Sequence, residues 1–185
     1  MKSPKPVSIF NLPNGITLAR GLMVIPVVAC LSTPKLGWNL LGAVLFVGAS
    51  LTDLLDGFLA RRRGEVTNAG KLLDPLADKI LLLGALLPMI GLGWIPPWLG
   101  VVILGREMVV TGLRAIAATE GETMAAIQSA KYKTLLYTVA FTLLMVHMRR
   151  LGMVVLMIAV CVSLFSAYKY LETHWDIIAK GGDSQ

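Results

Sequence analysis

Between positions 53 and 78 the chain reads Asp53-x-x-Asp56-Gly57-x-x-Ala60-Arg61, then eight residues, then Gly70-x-x-x-Asp74-x-x-x-Asp78. On a helix, residues three apart lie about 60° from each other around the axis and residues four apart about 40°. Asp53 and Asp56 therefore share one face, and Asp74 and Asp78 share another. A short link between them lets the two pairs face each other. Four carboxylates so close repel unless a cation sits among them. Oxygen-only donors suit a hard divalent ion, and Mg²⁺ or Mn²⁺ commonly serves phosphate chemistry. Two such ions held by four aspartates would clamp a pyrophosphate and stabilise charge on a leaving phosphate. Gly57, Ala60 and Gly70 are small where a bulky side chain would block a nucleotide. Arg61 offers a planar fork for phosphate.

A blander account treats these groups as helix-end carboxylates with no metal. It suits Asp74 taken alone, since a helix N-terminus stabilises a negative charge. It does not suit Asp53 and Asp56, which fall toward the C-terminal end of their apolar segment. A third account, an ion site in a divalent-metal transporter, predicts carboxylates at mid-membrane with polar groups on both sides of it.

The elements that must carry these residues are membrane helices. Of 185 residues, 56% are hydrophobic and 15% are charged, whereas a soluble domain is about half apolar and a quarter charged. Hydropathy predicts an all-α integral membrane protein with six transmembrane helices, near 16–32, 40–60, 75–93, 95–119, 133–147 and 151–170, in a single domain covering 1–185. Several of the uncharged runs are shorter than the roughly 20 residues a span requires. Their flanking charged residues must then enter the membrane interface. Arg20, Asp53, Asp56, Asp74, Asp78, Lys79, Arg106, Glu107, Arg114, Lys131 and Lys133 fall at alternating ends of successive spans, so they form one layer on one side. The last span adds almost nothing to it.

The basic residues Lys2, Lys5, Arg61, Arg62, Arg63, Lys71, Lys131, Lys133 and Lys180 lie on that side, against Lys35, Arg149 and Arg150 on the other. By the positive-inside rule both termini and the polar layer are cytoplasmic, in a multi-pass protein of the cell inner membrane. Arg149 and Arg150 are the discordant pair. The net charge of +6 fits this orientation and anionic lipid, with no role for nucleic acid. The segment from Ile16 resembles a signal peptide, but Arg20 interrupts it, and a retained first helix is expected. Cys30 and Cys161 are expected as small buried hydrophobes without a disulfide. His147 and His174 are expected at the interface, and Tyr168, Tyr170 and Trp175 in an aromatic belt.

The pattern from Asp53 to Asp78 matches, without a departure, the signature of the CDP-alcohol phosphotransferase family, and the six-helix pattern extends that resemblance over nearly the whole chain. The resemblance implies a divalent-metal-dependent transfer with release of CMP. It implies Asp53, Asp56 and Asp74 as principal metal ligands, and Asp78 as a ligand or as the catalytic base that activates the acceptor hydroxyl. It also suggests a homodimer. Thr17 and Arg20, three apart on the first helix, join Asp53, Asp56, Gly57, Ala60, Arg61 and Gly70 as candidates for the donor head-group site.

The acceptor clue is cationic. Arg106 and Arg114 lie on one helix, about 80° apart and about 12 Å along it, and Lys131 and Lys133 open the next. Fixed cations beside a metal site suit an acceptor that is itself a phosphate. Glu107 neutralises part of this charge; it faces Thr111 and Arg114, but Arg114 is about 10 Å away in rise, too far for a simple pair. The segments 106–114 and 131–134 are similar to the branch of the family that uses CDP-diacylglycerol as donor and sn-glycerol 3-phosphate as acceptor. That resemblance implies phosphate contacts from Arg106, Arg114, Lys131 and Lys133, with the lipid tails in an apolar groove among membrane lipids. Inositol phosphate, serine and phosphatidylglycerol remain alternative acceptors.

Overall fold

A computed structural model of the chain describes residues 12–63, 68–119 and 129–173, with side chains described over 15–52, 76–115 and 132–172. Every regular element among the described residues is a helix: α1 (Leu12–Leu22), α2 (Val24–Leu31), α3 (Leu36–Arg63), α4 (Asn68–Gly91), α5 (Pro97–Thr119), α6 (Ser129–Met145) and α7 (Arg149–Thr173). The N-terminal lysines Lys2 and Lys5, His174 with Trp175, and Lys180 lie outside this range.

The first predicted helix is broken. Pro26 has no N–H to give to the carbonyl of Leu22, and its ring crowds that carbonyl, which interrupts the ladder one turn earlier. The break falls at Met23, which ends α1 and precedes α2. The Met23 N–H is shared between the carbonyls of Ala19 and Arg20 at 3.0 and 3.1 Å, a tightened turn that satisfies the end of α1. The other helices extend past their apolar runs. Notably, α3 continues to Arg63 and α4 begins at Asn68. Apolar content marks the part of a helix that is buried, whereas its ends are set by backbone hydrogen bonding.

The chain forms two compact units, one of residues 1–93 with 145–147 and one of residues 94–144 with 148–185. In the first, α1 and α2 pack on both α3 and α4. Small residues bring these helices together. A Cβ at Gly42 would stand 3.2 Å from the Cβ of Cys30, and one at Gly84 would run into the Cγ2 of Val24. The buried core includes Val27, Leu31, Phe46, Leu86 and Met89. At one end of this unit the buried amide Nδ2 of Asn39 lies 2.9 Å from Nε2 of His147. His147 has φ 65, a left-handed conformation that lets the turn present its ring. The histidine expected to lie loose at the interface is thus tied to α3.

In the second unit α5 packs on α7, around Leu99, Ile103, Phe141, Leu144, Leu156 and Ala159. Gly93, at φ 70, makes the tight turn before Trp94. Pro97 opens α5, where a missing N–H costs nothing. Trp94 is buried, with the guanidinium of Arg149 over its ring at 5.4 Å. That contact gives the discordant Arg149 a place. Trp98 is exposed, as an interfacial ring would be. Tyr170 departs from the expected belt, being 3% exposed, while Tyr168 points outward. Both cysteines are free; Cys30 is buried as expected, but Cys161 is exposed on α7 because that helix turns only part of its circumference to its neighbours.

The stretch Arg149–Glu172 is long and apolar enough to cross a membrane, and Gly15–Leu31, Leu36–Thr52 and Tyr132–Met145 are shorter apolar helical stretches. The hydroxyls of Ser50, Thr138 and Thr142 bond back to carbonyls four residues earlier, which satisfies them without water.

A Cβ at Gly152 would lie 2.8 Å from Cγ and 3.0 Å from the backbone nitrogen of Leu144. A backbone atom cannot rotate aside, so Gly152→Ala is expected to destabilise by about 1–3 kcal/mol. Gly48 has open space around it, so Gly48→Ala is expected to be neutral or to stabilise by up to about 1 kcal/mol. Thermal unfolding in detergent measures both; equal responses at the two positions would refute this packing account.

Candidate active site

The carboxylate motif is carried entirely by helices where it is described. Asp53, Asp56, Gly57, Ala60 and Arg61 lie on the last turns of α3, and Gly70, Asp74 and Asp78 on the first half of α4. These two helices pack on each other within the first unit. Gly70 therefore belongs to the first turn of α4 and not to a loop. Asp74 is the seventh residue of that helix. The dipole of a helix acts within its first turn, so it does not account for a carboxylate at this depth. The side chains of Asp53, Asp56, Gly57, Ala60, Arg61, Gly70 and Asp74 lie outside the described residues.

Asp78 is described, and α1 supplies its partner. Thr17 and Arg20 are both buried at 2% exposure on the face of α1 turned to its neighbours. Nη1 of Arg20 lies 3.4 Å from Oδ1 of Asp78, joining a side chain with no exposure to a carboxyl that is 47% exposed. Small residues permit the approach: a Cβ at Gly21 would meet the Cβ of Ala77 at 3.9 Å, an ordinary contact, so α1 and α4 lie close. The sequence placed Arg20 with the donor head group. Its ion pair with Asp78 brings that candidate and the catalytic candidate into one place. A half-exposed carboxyl so placed can still accept a proton or a cation.

The cationic group is built in the second unit. Arg106 is 8% exposed on α5. Its Nε donates to the carbonyl of Ser163 on α7 at 3.0 Å, and its Nη1 donates to Oε1 of Glu107 at 3.0 Å. The same oxygen accepts the ammonium of Lys133 on α6. Among the described residues no hydrogen bond is made by Nη2 of Arg106. Arg114 stands two turns further along α5, exposed, with its guanidinium 5.7 Å from the ring centroid of Tyr170. Arg106 and Arg114 are both within electrostatic range of Lys133. The side chain of Lys131 lies outside the described residues.

Two of the four predicted acceptor-site cations, Arg106 and Lys133, therefore meet on one carboxylate, with Arg114 further along α5. The partner of Glu107 is Lys133 on the next helix and not Arg114, because residues seven apart on α5 are separated by two turns. The last helix, expected to add nothing, supplies the Ser163 carbonyl and the Tyr170 ring. The depth of Arg106 was the available signal, since a guanidinium so placed requires fixed acceptors.

For a metal, the donor chemistry fits. The motif offers only carboxylate oxygens on two packed helices, which suits a hard divalent ion. Among the described residues there is no group of three or more His, Cys, Asp or Glu side chains, and Asp78 is the one motif carboxylate within that range.

A helical chain with the four-aspartate motif on α3 and α4, with Asp78 of that motif paired to a buried arginine, and with a set of cations suited to phosphate on α5 and α6, has the equipment of an enzyme acting on phosphate esters. Comparison with known proteins agrees. The chain belongs to the CDP-alcohol phosphatidyltransferase family, whose sequence profile matches residues 10–165. The CDP-diacylglycerol–glycerol-3-phosphate 3-phosphatidyltransferase of Bacillus subtilis strain 168 is 37% identical, over 91% of this chain and 97% of its own. Proteins of the same name from Rickettsia felis and Pseudomonas fluorescens are 35% and 34% identical, covering 88% and 93% of this chain and 94% of their own in each case.

The Arg20–Asp78 pair is asymmetric, because the arginine is the buried partner. Asp78→Asn takes the counter-charge from a guanidinium that stays buried and charged, and is expected to destabilise by about 3–5 kcal/mol. Arg20→Ala removes that charge together with its burial cost and leaves a cavity, for which about 2–5 kcal/mol is expected. Thermal unfolding of the two variants in one detergent measures both; a loss below about 1 kcal/mol for Asp78→Asn would overturn the role of the carboxyl as counter-charge to the arginine.

Proposed function

We propose that the chain transfers a phosphatidyl group from CDP-diacylglycerol to sn-glycerol 3-phosphate, giving phosphatidylglycerophosphate and CMP in phospholipid biosynthesis. One observation carries the proposal. The aspartate pattern is complete in a chain whose relatives, over nearly their full length, bear that activity in their names. In this reading a glycerol hydroxyl oxygen attacks the β-phosphorus of the donor. The new P–O bond forms as the bond to the CMP oxygen breaks, and the hydroxyl proton passes to Oδ of Asp78. Asp53, Asp56, Asp74 and Asp78 would hold two divalent ions, Mg²⁺ or Mn²⁺, which supply charge stabilisation on the phosphates. Thr17, Arg20 and Arg61 take polar parts of the donor head group, and Gly57, Ala60 and Gly70 leave room for it. Arg106, Arg114, Lys131 and Lys133 bind the acceptor phosphate.

The chain acts as a six-span protein of the bacterial inner membrane, with both termini in the cytoplasm, as one domain and as a homodimer. The family match running through both compact units supports the single domain. Large apolar side chains turned outward, among them Ile25, Val44, Val101 and Met108, support a lipid surround for the helices that are individually short of a full apolar span. The gathering of Arg106, Arg114 and Lys133 favours a phosphate-bearing acceptor over serine. It also argues against a transporter, which has no need of a cluster of cations suited to phosphate.

The test is CMP release by the purified full chain in mixed micelles with CDP-diacylglycerol and Mg²⁺ or Mn²⁺, offering glycerol 3-phosphate, inositol 1-phosphate, serine or phosphatidylglycerol. Turnover is expected with glycerol 3-phosphate. A chelator should abolish it, either divalent ion should restore it, and Asp78→Asn should lower kcat by about 100-fold or more. Turnover with another acceptor alone would overturn the acceptor assignment, and release with none of them would overturn the activity.

A further inference from the structure

Glu107 has an unusual position for a carboxylate in a site meant for an anion. A negative side chain there opposes the ligand unless it does something for the cations around it. Neighbouring residues on a helix project about 100° apart and do not ordinarily face each other. Yet Nη1 of Arg106 reaches Oε1 of Glu107 at 3.0 Å. It can do so because the arginine's Nε is anchored on the Ser163 carbonyl of α7, which fixes the plane of the guanidinium. The same Oε1 takes the ammonium of Lys133 on α6. Glu107 and Lys133 keep only 16% and 13% of their side-chain exposure. Such shielding strengthens their attraction and also the repulsion Lys133 would feel from Arg106 and Arg114 without the carboxylate.

We propose that Glu107 is a positioning residue for the acceptor's phosphate. Its single oxygen draws the guanidinium of Arg106 and the ammonium of Lys133 together, and leaves Nη2 of Arg106 for the ligand. This inference rests on the reading, given above, that Arg106 and Lys133 bind the acceptor phosphate. Charge supports it. Arg106, Arg114, Lys131 and Lys133 bring four positive charges to a phosphate monoester carrying between one and a half and two negative charges near neutral pH. Glu107 offsets one of them, and without it the excess of cations is larger still. The lysine, the most flexible of them, would swing away to water at the expense of the geometry.

The experiment is steady-state kinetics of the full chain, with glycerol 3-phosphate and CDP-diacylglycerol varied separately. The variants are Glu107→Ala, Glu107→Gln, Arg106→Ala, Lys133→Ala and the double variant Glu107→Ala/Lys133→Ala. Glu107→Ala is expected to raise KM for glycerol 3-phosphate about tenfold, the size of one lost charge-assisted hydrogen bond, with KM for CDP-diacylglycerol changed by less than about twofold. Glu107→Gln keeps an acceptor oxygen and should fall between wild type and Ala. In the Lys133→Ala background the effect of Glu107→Ala should shrink to about threefold or less, since the group it positions is gone. Should Glu107→Ala fail to fold, the Gln variant decides by the same split of KM values. An unchanged acceptor KM in the Glu107 variants, or an equal loss for both substrates, overturns the inference even while Arg106→Ala raises the acceptor KM. If Arg106→Ala and Lys133→Ala leave the acceptor KM unchanged, it is the underlying assignment of the acceptor site that fails.

Discussion

A guanidinium stays charged at any pH a cell meets, so an arginine withdrawn from water must be met by fixed oxygens. Arg20 and Arg106 are the buried arginines among the described residues, and helix packing in each unit is consistent with their needs. Arg20 on α1 reaches the carboxyl of Asp78 on α4, and α1 packs against α4. Arg106 on α5 reaches a carbonyl of α7, and α5 packs against α7. In an apolar surround, helices gain little from hiding hydrophobic surface on one another, so close packing and polar contacts carry more of the association. The small residues at the contacts, Gly21 with Ala77 and Gly84 with Val24, are what let the helices come near enough for such contacts to form.

Much of this was legible in the sequence, for a definable reason. Spacing along one helix is fixed by backbone geometry, so the shared faces of Asp53 with Asp56 and of Asp74 with Asp78 follow from their positions alone. The all-helical architecture followed from the apolar runs in the same way. What lies between helices was not legible. Spacing along α5 set Arg114 aside as a simple partner of Glu107, but it could not supply the partner across helices, Lys133, 26 residues away. Tyr170 was placed at an interface because it ends an apolar run, yet it is buried beneath Arg114. The contact of His147 with Asn39 likewise joins residues far apart in sequence, through a turn with a left-handed residue. Hydropathy also set α4 seven residues too late, at 75 in place of Asn68. The polar opening turn of that helix is held by backbone bonds that hydropathy does not register.

The two groups of chemistry-bearing residues follow different local logic. In the proposed reaction the aspartates would depend on the cations between them, since like charges brought together repel. The cations of the second unit are already reconciled by a carboxylate, a carbonyl and an aromatic ring before any ligand arrives. Such a site is preorganised: its ordering cost is met in folding and not at the moment of binding. The difference fits a division of labour in which one group changes its bonding during the reaction and the other only holds.

The interruption at Met23 divides the first helix into two segments. The segment bearing Thr17 and Arg20 lies on one side of the break, and the segment wedged against Gly42 and Gly84 on the other. Met23 keeps a helical backbone, and its carbonyl still accepts the N–H of Val27. The one bond that Pro26 withholds is therefore a local weakening between a half that presents an arginine and a half that is anchored by close packing. Strain arising in either half has a place to be absorbed before it reaches the other.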